Sequence, residues 1–336
     1  MYKPLLMYIG KRFIAMIIAI WIGLTITFAI SRLLPFNAAD YFVARVLSAG
    51  AGLRGDEIEA LRNTLIQLYG LNRSVILQYI DFLKNYITGN MGPSFAFFPT
   101  SVSEIIAWAL PWSLALLMTV SVMNWIIGNI IGTLSAITKR RRIANALENF
   151  ALTITPIPYV ILGLSFLIIY ALILRLPLTM YGRPVPPQLS IDFIISLFQR
   201  MMLPAISLMI FGWIGDFLAM KNLAIRLKQE DFILYKVLQG APQKKINTAV
   251  FRNALIPQYT SLLLGLSRVF LGSVTVEYLF NYPGIGLILQ SAIANADYNL
   301  MLGIISLTVV AVGIATFILD LTYPLIDPRI RYPGAG

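Results

Sequence analysis

The sequence predicts an all-α integral membrane protein: six transmembrane helices, both termini cytoplasmic, and a helical insertion outside the bilayer. Three observations carry this. The 336 residues are 58% hydrophobic and 12% charged, with a mean hydropathy of +0.77, where soluble domains carry roughly 25% charge. Six apolar runs approach the ~20 residues that a helix needs to cross a bilayer. The basic residues behind the net charge of +11 gather in alternate connections between those runs, as in cytoplasmic loops.

The first run, Phe13 to Leu33, follows Lys3, Lys11 and Arg12. It is too long for a signal-peptide core and lacks a small-residue cleavage site, so it reads as a retained first span. Residues 34–109 mix acids and bases and hold no clean span. Asp56 and Glu57 open one helix there, which Gly70 closes; Ile76, Ile80 and Leu83 mark a second, ending near Gly89. This is an external subdomain, partly apposed to the membrane.

The second span runs from about Leu110 to Ile137 and ends on Lys139-Arg140-Arg141-Arg142. The third covers about Leu152 to Leu174, and a proline-rich outer loop follows it. The fourth is Leu203 to Met220, the fifth Leu255 to Phe280 and the sixth Leu302 to Tyr323, before a tail of residues 324–336. The divisions are therefore 1–33, 34–109, a core of 110–323 and the tail. By the positive-inside rule the side holding both termini is the cytoplasm, which makes this a multi-pass protein of the plasma membrane.

The composition closes off several chemistries. With no cysteine and no histidine, disulfides, thiolates, the commonest metal ligand and the usual general base are absent. There is no G-x-x-x-x-G-K-[ST] loop and no H-E-x-x-H. The basic charge belongs to topology, so a lipid bilayer is the implied partner rather than nucleic acid.

Between the fourth and fifth spans, residues 221–254 form the long basic interruption of the C-terminal half. Apolar residues recur at helical spacing on both sides of Gly240-Ala241-Pro242. Gly is favoured just past a helix end and Pro at a helix start. The spacing predicts two short amphipathic helices meeting in a fixed knuckle, which would lie on headgroups or dock into a soluble partner. Gly128 and Gly132, four apart, present a small-residue face for helix packing. Asp216, Arg268 and Asp320 are ionisable residues within predicted spans, a costly placement that usually marks function, though Asp320 sits within a turn of the membrane edge and needs little explanation. By helical rise Arg268 stands ~12 Å along the membrane normal from Asp216, more than its side chain spans for a direct pair without tilt or a helix offset. It is expected to face a wet cavity or a partner subunit.

Three stretches carry a resemblance. Asp231-Phe232 through Lys236 and Gly240 to Arg252-Asn253-Ala254-Leu255-Ile256-Pro257 resembles the EAA loop of ABC-importer permeases of the dipeptide/oligopeptide type. Val276-Glu277-Tyr278-Leu279-Phe280-Asn281-Tyr282-Pro283-Gly284-Ile285-Gly286 is similar to that group's V-E-x-x-F-x-x-P-G-x-G segment. Asp327-Pro328-Arg329-Ile330-Arg331-Tyr332 is similar to its D-P-R-x-R-Y tail. Tyr69-Gly70-Leu71 and Gly89-Asn90-Met91-Gly92-Pro93-Ser94 match the first of its two permease subunits. Arg268 stands where that family has small or apolar residues.

The resemblance implies a type I importer permease, itself non-catalytic. Its partners would be a second homologous permease, two cytoplasmic ABC ATPase subunits and an external solute-binding protein. ATP and magnesium would sit on the ATPases, and this chain would bind no cofactor. Asp231, Lys236, Gly240, Ala241, Pro242, Arg252, Asn253 and Pro257 would form the coupling element. Asp216 and Arg268 would be polar positions in or near the pathway. Glu277, Pro283, Gly284 and Gly286 would shape an external turn, with Glu277 either fixing it or touching the binding protein. Two other functions compete. A stand-alone secondary carrier would show inverted repeats, yet residues 34–109 have no counterpart in the second half. An intramembrane aspartyl protease would pair two aspartates, but Gly212-Trp213-Ile214-Gly215-Asp216 matches its motif only loosely.

Overall fold

The computed structural model describes residues 2–33, 38–48, 50, 54–68, 72–173, 190–267, 269 and 273–326. Arg268, Tyr69-Gly70-Leu71, the proline-rich outer loop and the Asp327–Tyr332 tail lie outside them. Among the described residues the regular structure is helical, as the apolar composition requires, since backbone groups in lipid must be satisfied within the segment.

Helix α1 spans Tyr2–Leu33, longer at its start than predicted. Three helices follow in the region between the first two predicted spans: α2 (Ala38–Ser48), α3 (Gly55–Leu68) and α4 (Val75–Thr88). The ends of α4 are set locally: the Ser74 hydroxyl accepts from Leu77 N–H, and Gly89 closes it with φ of 74°. Val43, Leu65 and Phe95 make a small core that seats α2 and α3.

Helix α5 (Val102–Ile137) begins eight residues before the predicted second span. Ser101 caps it by accepting from Glu104 N–H at 3.2 Å. The third span departs most from expectation. It is a broken pair, α6 (Arg141–Ile154) and α7 (Tyr159–Ile168) with a π turn through Ile173, bent by 101°. Pro156 and Pro158 fall in the break, where two missing N–H groups stop the helix. The fourth span is longer than predicted. Helix α8 (Ile191–Gly212) and α9 (Ile214–Leu227) together run 37 residues, interrupted at Trp213.

After α10 (Asp231–Leu238), helix α11 (Gln243–Ser267) runs unbroken through Pro257. The expected second short helix of the knuckle and the start of a separate span at Leu255 are therefore one helix. Its basic first half lowers its hydropathy. Four helices are long and apolar enough to cross a membrane among the described residues, or five if the bent pair counts as one. Two short helices follow, α12 (Val274–Leu279) and α13 (Ile285–Ala294), then α14 (Tyr298–Ile326).

Helices α1 and α14 run antiparallel. The Tyr8 hydroxyl donates to the Asp320 carbonyl at 2.9 Å, Arg12 pairs with Asp320 at 3.2 Å, and Gly23 faces Val309. The start of α5 packs on α13 and the start of α14 through Val102, Ile105, Ile288, Leu300 and Ile304. Its far end meets α9, α10 and α11 through Ala136, Ala224, Ile233, Ile246 and Val250. Midway, α9 lies against the glycine face of α5. A Cβ on Gly128 would stand 2.7 Å from the Trp213 carbonyl oxygen, and one on Gly132 2.7 Å from that of Phe217. The small-residue face is thus a contact within this chain.

Candidate functional site

The knuckle is built by backbone hydrogen bonds at the end of an eight-residue helix. Asp231 stands in the first turn of α10 and Lys236 in the last, the order that complements the helix dipole. Gly240 takes φ of 71°. Its N–H donates to Val237 O at 2.9 Å, and Ala241 N–H donates to Lys236 O at 3.1 Å. This pair of bonds is a Schellman motif, which needs a left-handed residue at that place. The chain then restarts at once: Lys245 N–H donates to Pro242 O at 2.8 Å. Gly240-Ala241-Pro242 therefore joins α10 to α11 with no slack.

The outer face of α10 is apolar and uncovered. Ile233 is buried, but Leu234, Tyr235, Val237 and Leu238 are 52–76% exposed. A contiguous apolar face on so short a helix marks a contact with something else. Arg252 and Pro257 on α11 are exposed, whereas Asn253 folds back, donating to Ala249 O at 2.8 Å.

Several polar residues that bind this region to the bundle were not singled out from sequence. Lys221, the first residue of the basic interruption, is 4% exposed and pairs with Glu148 of α6 at 2.7 Å. Lys228 donates to Ala136 O at 2.7 Å, tying the end of α9 to that of α5. The Trp125 indole donates to Gln258 O at 2.8 Å, beside Pro257. Asp216, which the sequence does single out, is half-buried on α9 with its Cβ opposite Gly128, and it makes no ion pair among the described residues. Arg200, outside the predicted fourth span, is buried in α8 beside Ser196.

At the other end of α5, the predicted external turn is a tightly held cap. Glu277 is fully buried, and its carboxylate accepts from Ser113 Oγ at 2.8 Å, Gly286 N–H at 2.5 Å and, more distantly, Leu287 and Ser273 N–H. A carboxylate at the first turn of α13 meets unpaired N–H groups and the positive end of the dipole. Pro283 and Gly284 carry the chain between the two short helices, and side chains on Gly284 or Gly286 would collide with Glu277 and with the Val274 backbone. The Tyr282 hydroxyl donates to Trp112 O at 2.9 Å. Glu277 thus faces inward, away from any external surface. A second buried carboxylate, Asp297, accepts from Ser94 Oγ, Ala96 N–H and Leu300 N–H, joining the loop before α5 to α14.

Comparison with known proteins bears on the same region. The family described as "Binding-protein-dependent transport system inner membrane component" matches residues 128–332, from the glycine face through the knuckle and cap. The oligopeptide transport system permease protein OppB of Haemophilus influenzae is 28% identical over 98% of this chain and 100% of its own length. The dipeptide transport system permease protein DppB of Bacillus subtilis is 28% identical over 98% of this chain and 99% of its own. The oligopeptide permease protein AppB of the same organism is 28% identical over 97% and 99%.

Proposed function

The chain belongs to the family of binding-protein-dependent transport system inner membrane components, and from that premise we propose that it is the first permease subunit of an ATP-driven peptide importer. With a second permease it forms the membrane pathway. An external binding protein delivers peptides or similar solutes, and two cytoplasmic ATPases supply the work through α10. Six spans with both termini in the cytoplasm complete this reading. It is supported by the pairing of Tyr8 and Arg12 with Asp320 at one end of the α1–α14 pair. The basic run Lys139–Arg142 follows the same end of α5 that carries the knuckle.

The observation that carries the proposal is α10 itself: an apolar face left open outside the bundle, on a helix joined rigidly to α11. An element meant only to lie on headgroups needs no fixed bend. A docked lever does, because a pull on α10 must reach the membrane without being lost in a flexible linker.

The test is reconstitution. Proteoliposomes holding both permeases and both ATPases should take up peptide only with binding protein outside and ATP inside. Uptake by this chain alone, driven by an ion gradient, would refute the reading in favour of a secondary carrier. Cleavage of a membrane-embedded peptide substrate would favour a protease.

A further inference from the structure

A cleft opens behind α4, walled by Phe28 and Arg32 in the last turns of α1, by Phe82, Asn85 and Tyr86 of α4, and by Asn299 at the start of α14. The coupling mechanism makes no use of it. Its floor is aromatic: the Phe28 and Phe82 rings lie 5.5 Å apart, and the Arg32 guanidinium sits 5.2 Å from the centre of the Phe28 ring. No carboxylate pairs with Arg32 among the described residues. The acid in the wall, Asp81, is held by Arg73 at 2.8 Å, so its charge is already answered. The side-chain amide of Asn299 gives one hydrogen to Pro93 O at 3.1 Å and, having two, keeps the other.

The depth of the cleft follows from its surroundings. Arg32 is one residue from the end of the apolar run Leu6–Leu33, where a spanning helix leaves the hydrocarbon. On α4 the residues Ile76, Ile80 and Ile87 recur on one face and are 73%, 52% and 84% exposed. Such a helix lies in the interface with that face in lipid. The cleft behind it is therefore at headgroup level, where aromatic side chains also concentrate. An unanswered guanidinium at that depth, over an aromatic floor and beside amide donors, fits a phosphodiester, whose oxygens accept its paired N–H groups.

We propose that this cleft binds the phosphate of a phospholipid headgroup, with Arg32 as the charged ligand and the amides of Asn85 and Asn299 beside it. The lipid would wedge α4 against α1 and hold the external subdomain at a fixed height.

Native mass spectrometry of the full-length chain in detergent, titrated with short-chain phosphatidylglycerol, tests this. Arg32→Gln should weaken the first lipid adduct about tenfold, the worth of one charge-assisted hydrogen bond, and Arg32→Lys should lie between. Asn85→Asp, which leaves Arg32 in place but adds a repelling charge, should also weaken it, and it carries the test if Arg32→Gln fails to fold. Unchanged binding in both variants would overturn the proposal. So would equal binding of diacylglycerol, which has no phosphate. Displacement of the Arg32-dependent adduct by millimolar inorganic phosphate would make this a free-anion site and overturn the lipid assignment.

Discussion

Gly240 offers a perturbation whose size can be worked from one dihedral. Its φ of 71° lies in the left-handed region, and no atom stands within 4 Å of where a Cβ would sit. Substitution there acts through the backbone and not through a clash. Alanine at such a φ costs about 1 kcal/mol. Proline cannot adopt it and also deletes the N–H that bonds Val237 O at 2.9 Å, so about 3 kcal/mol or more is lost. If the ATPases grip α10 in its bent pose, that cost comes off their binding. At 1.4 kcal/mol per decade, Gly240→Ala should weaken ATPase association about fivefold and Gly240→Pro more than about a hundredfold. The assay is titration of the ATPase subunits onto the permease pair in nanodiscs, with peptide uptake per ATP hydrolysed measured in parallel. Uptake should fall in the same order, with insertion unchanged. Wild-type affinity in both variants would refute the docking role of the knuckle, and equal losses would refute the backbone argument.

Three further outcomes follow from packing. Gly128→Ala would press a methyl within 2.7 Å of the Trp213 carbonyl oxygen, and it should destabilise the detergent-solubilised protein by about 1–3 kcal/mol. A melting temperature equal to wild type would show that α5 and α9 are not in close contact. Glu277→Ala strands the N–H groups of Gly286 and Leu287 and the Ser113 hydroxyl, and should cost at least about 3 kcal/mol while exposing residues 281–296 to protease; an unchanged digestion pattern would count against the cap. In the Lys221–Glu148 pair the side chains are 5% and 34% exposed. Glu148→Gln should therefore destabilise more than Lys221→Met, because it leaves the buried ammonium without a counter-charge, held only by the Ala144 carbonyl at 3.4 Å. The reverse order in thermal melts would sink that assignment.

What could be read from the sequence was what local chemistry decides. The Gly89 close of α4 and the glycine–proline punctuation of the knuckle were legible, because each depends on residues a turn or less apart. The span limits were less so, and proline shows why. Pro111, Pro204 and Pro257 sit inside continuing helices, where neighbouring helices compensate for one missing hydrogen bond. Pro156 and Pro158 remove two and also bias Ile157 away from the helical region, and there the chain turns. The helix that begins after Pro242 was legible, but its continuity past Leu255 was hidden, because Lys244, Lys245 and Arg252 keep its first half out of an apolar window although the backbone is one helix. Lys221, Glu277 and Asp297 could not be read as tethers at all. Their partners are 73, 164 and 203 residues away in the chain, so only the fold brings them together.

The union of knuckle and fifth helix changes how a pull on α10 would travel. Two short helices with a break at Leu255 would lose motion at that break. In one continuous helix, the Schellman turn and the Pro242 restart pass displacement straight into α11. The neighbouring end of α9 cannot slide to absorb it, since Lys228 holds Ala136 and the glycine face locks α9 onto α5. The first weak point along α11 is Pro257, which offers no N–H to the Asn253 carbonyl. Immediately beyond it Trp125 grips Gln258 O at 2.8 Å. A rigid arm that meets a weakened turn next to a fixed point pivots there. On the coupling role proposed above, a pull on α10 would tilt the half of α11 that precedes Pro257, while Trp125 of α5 steadies the half beyond.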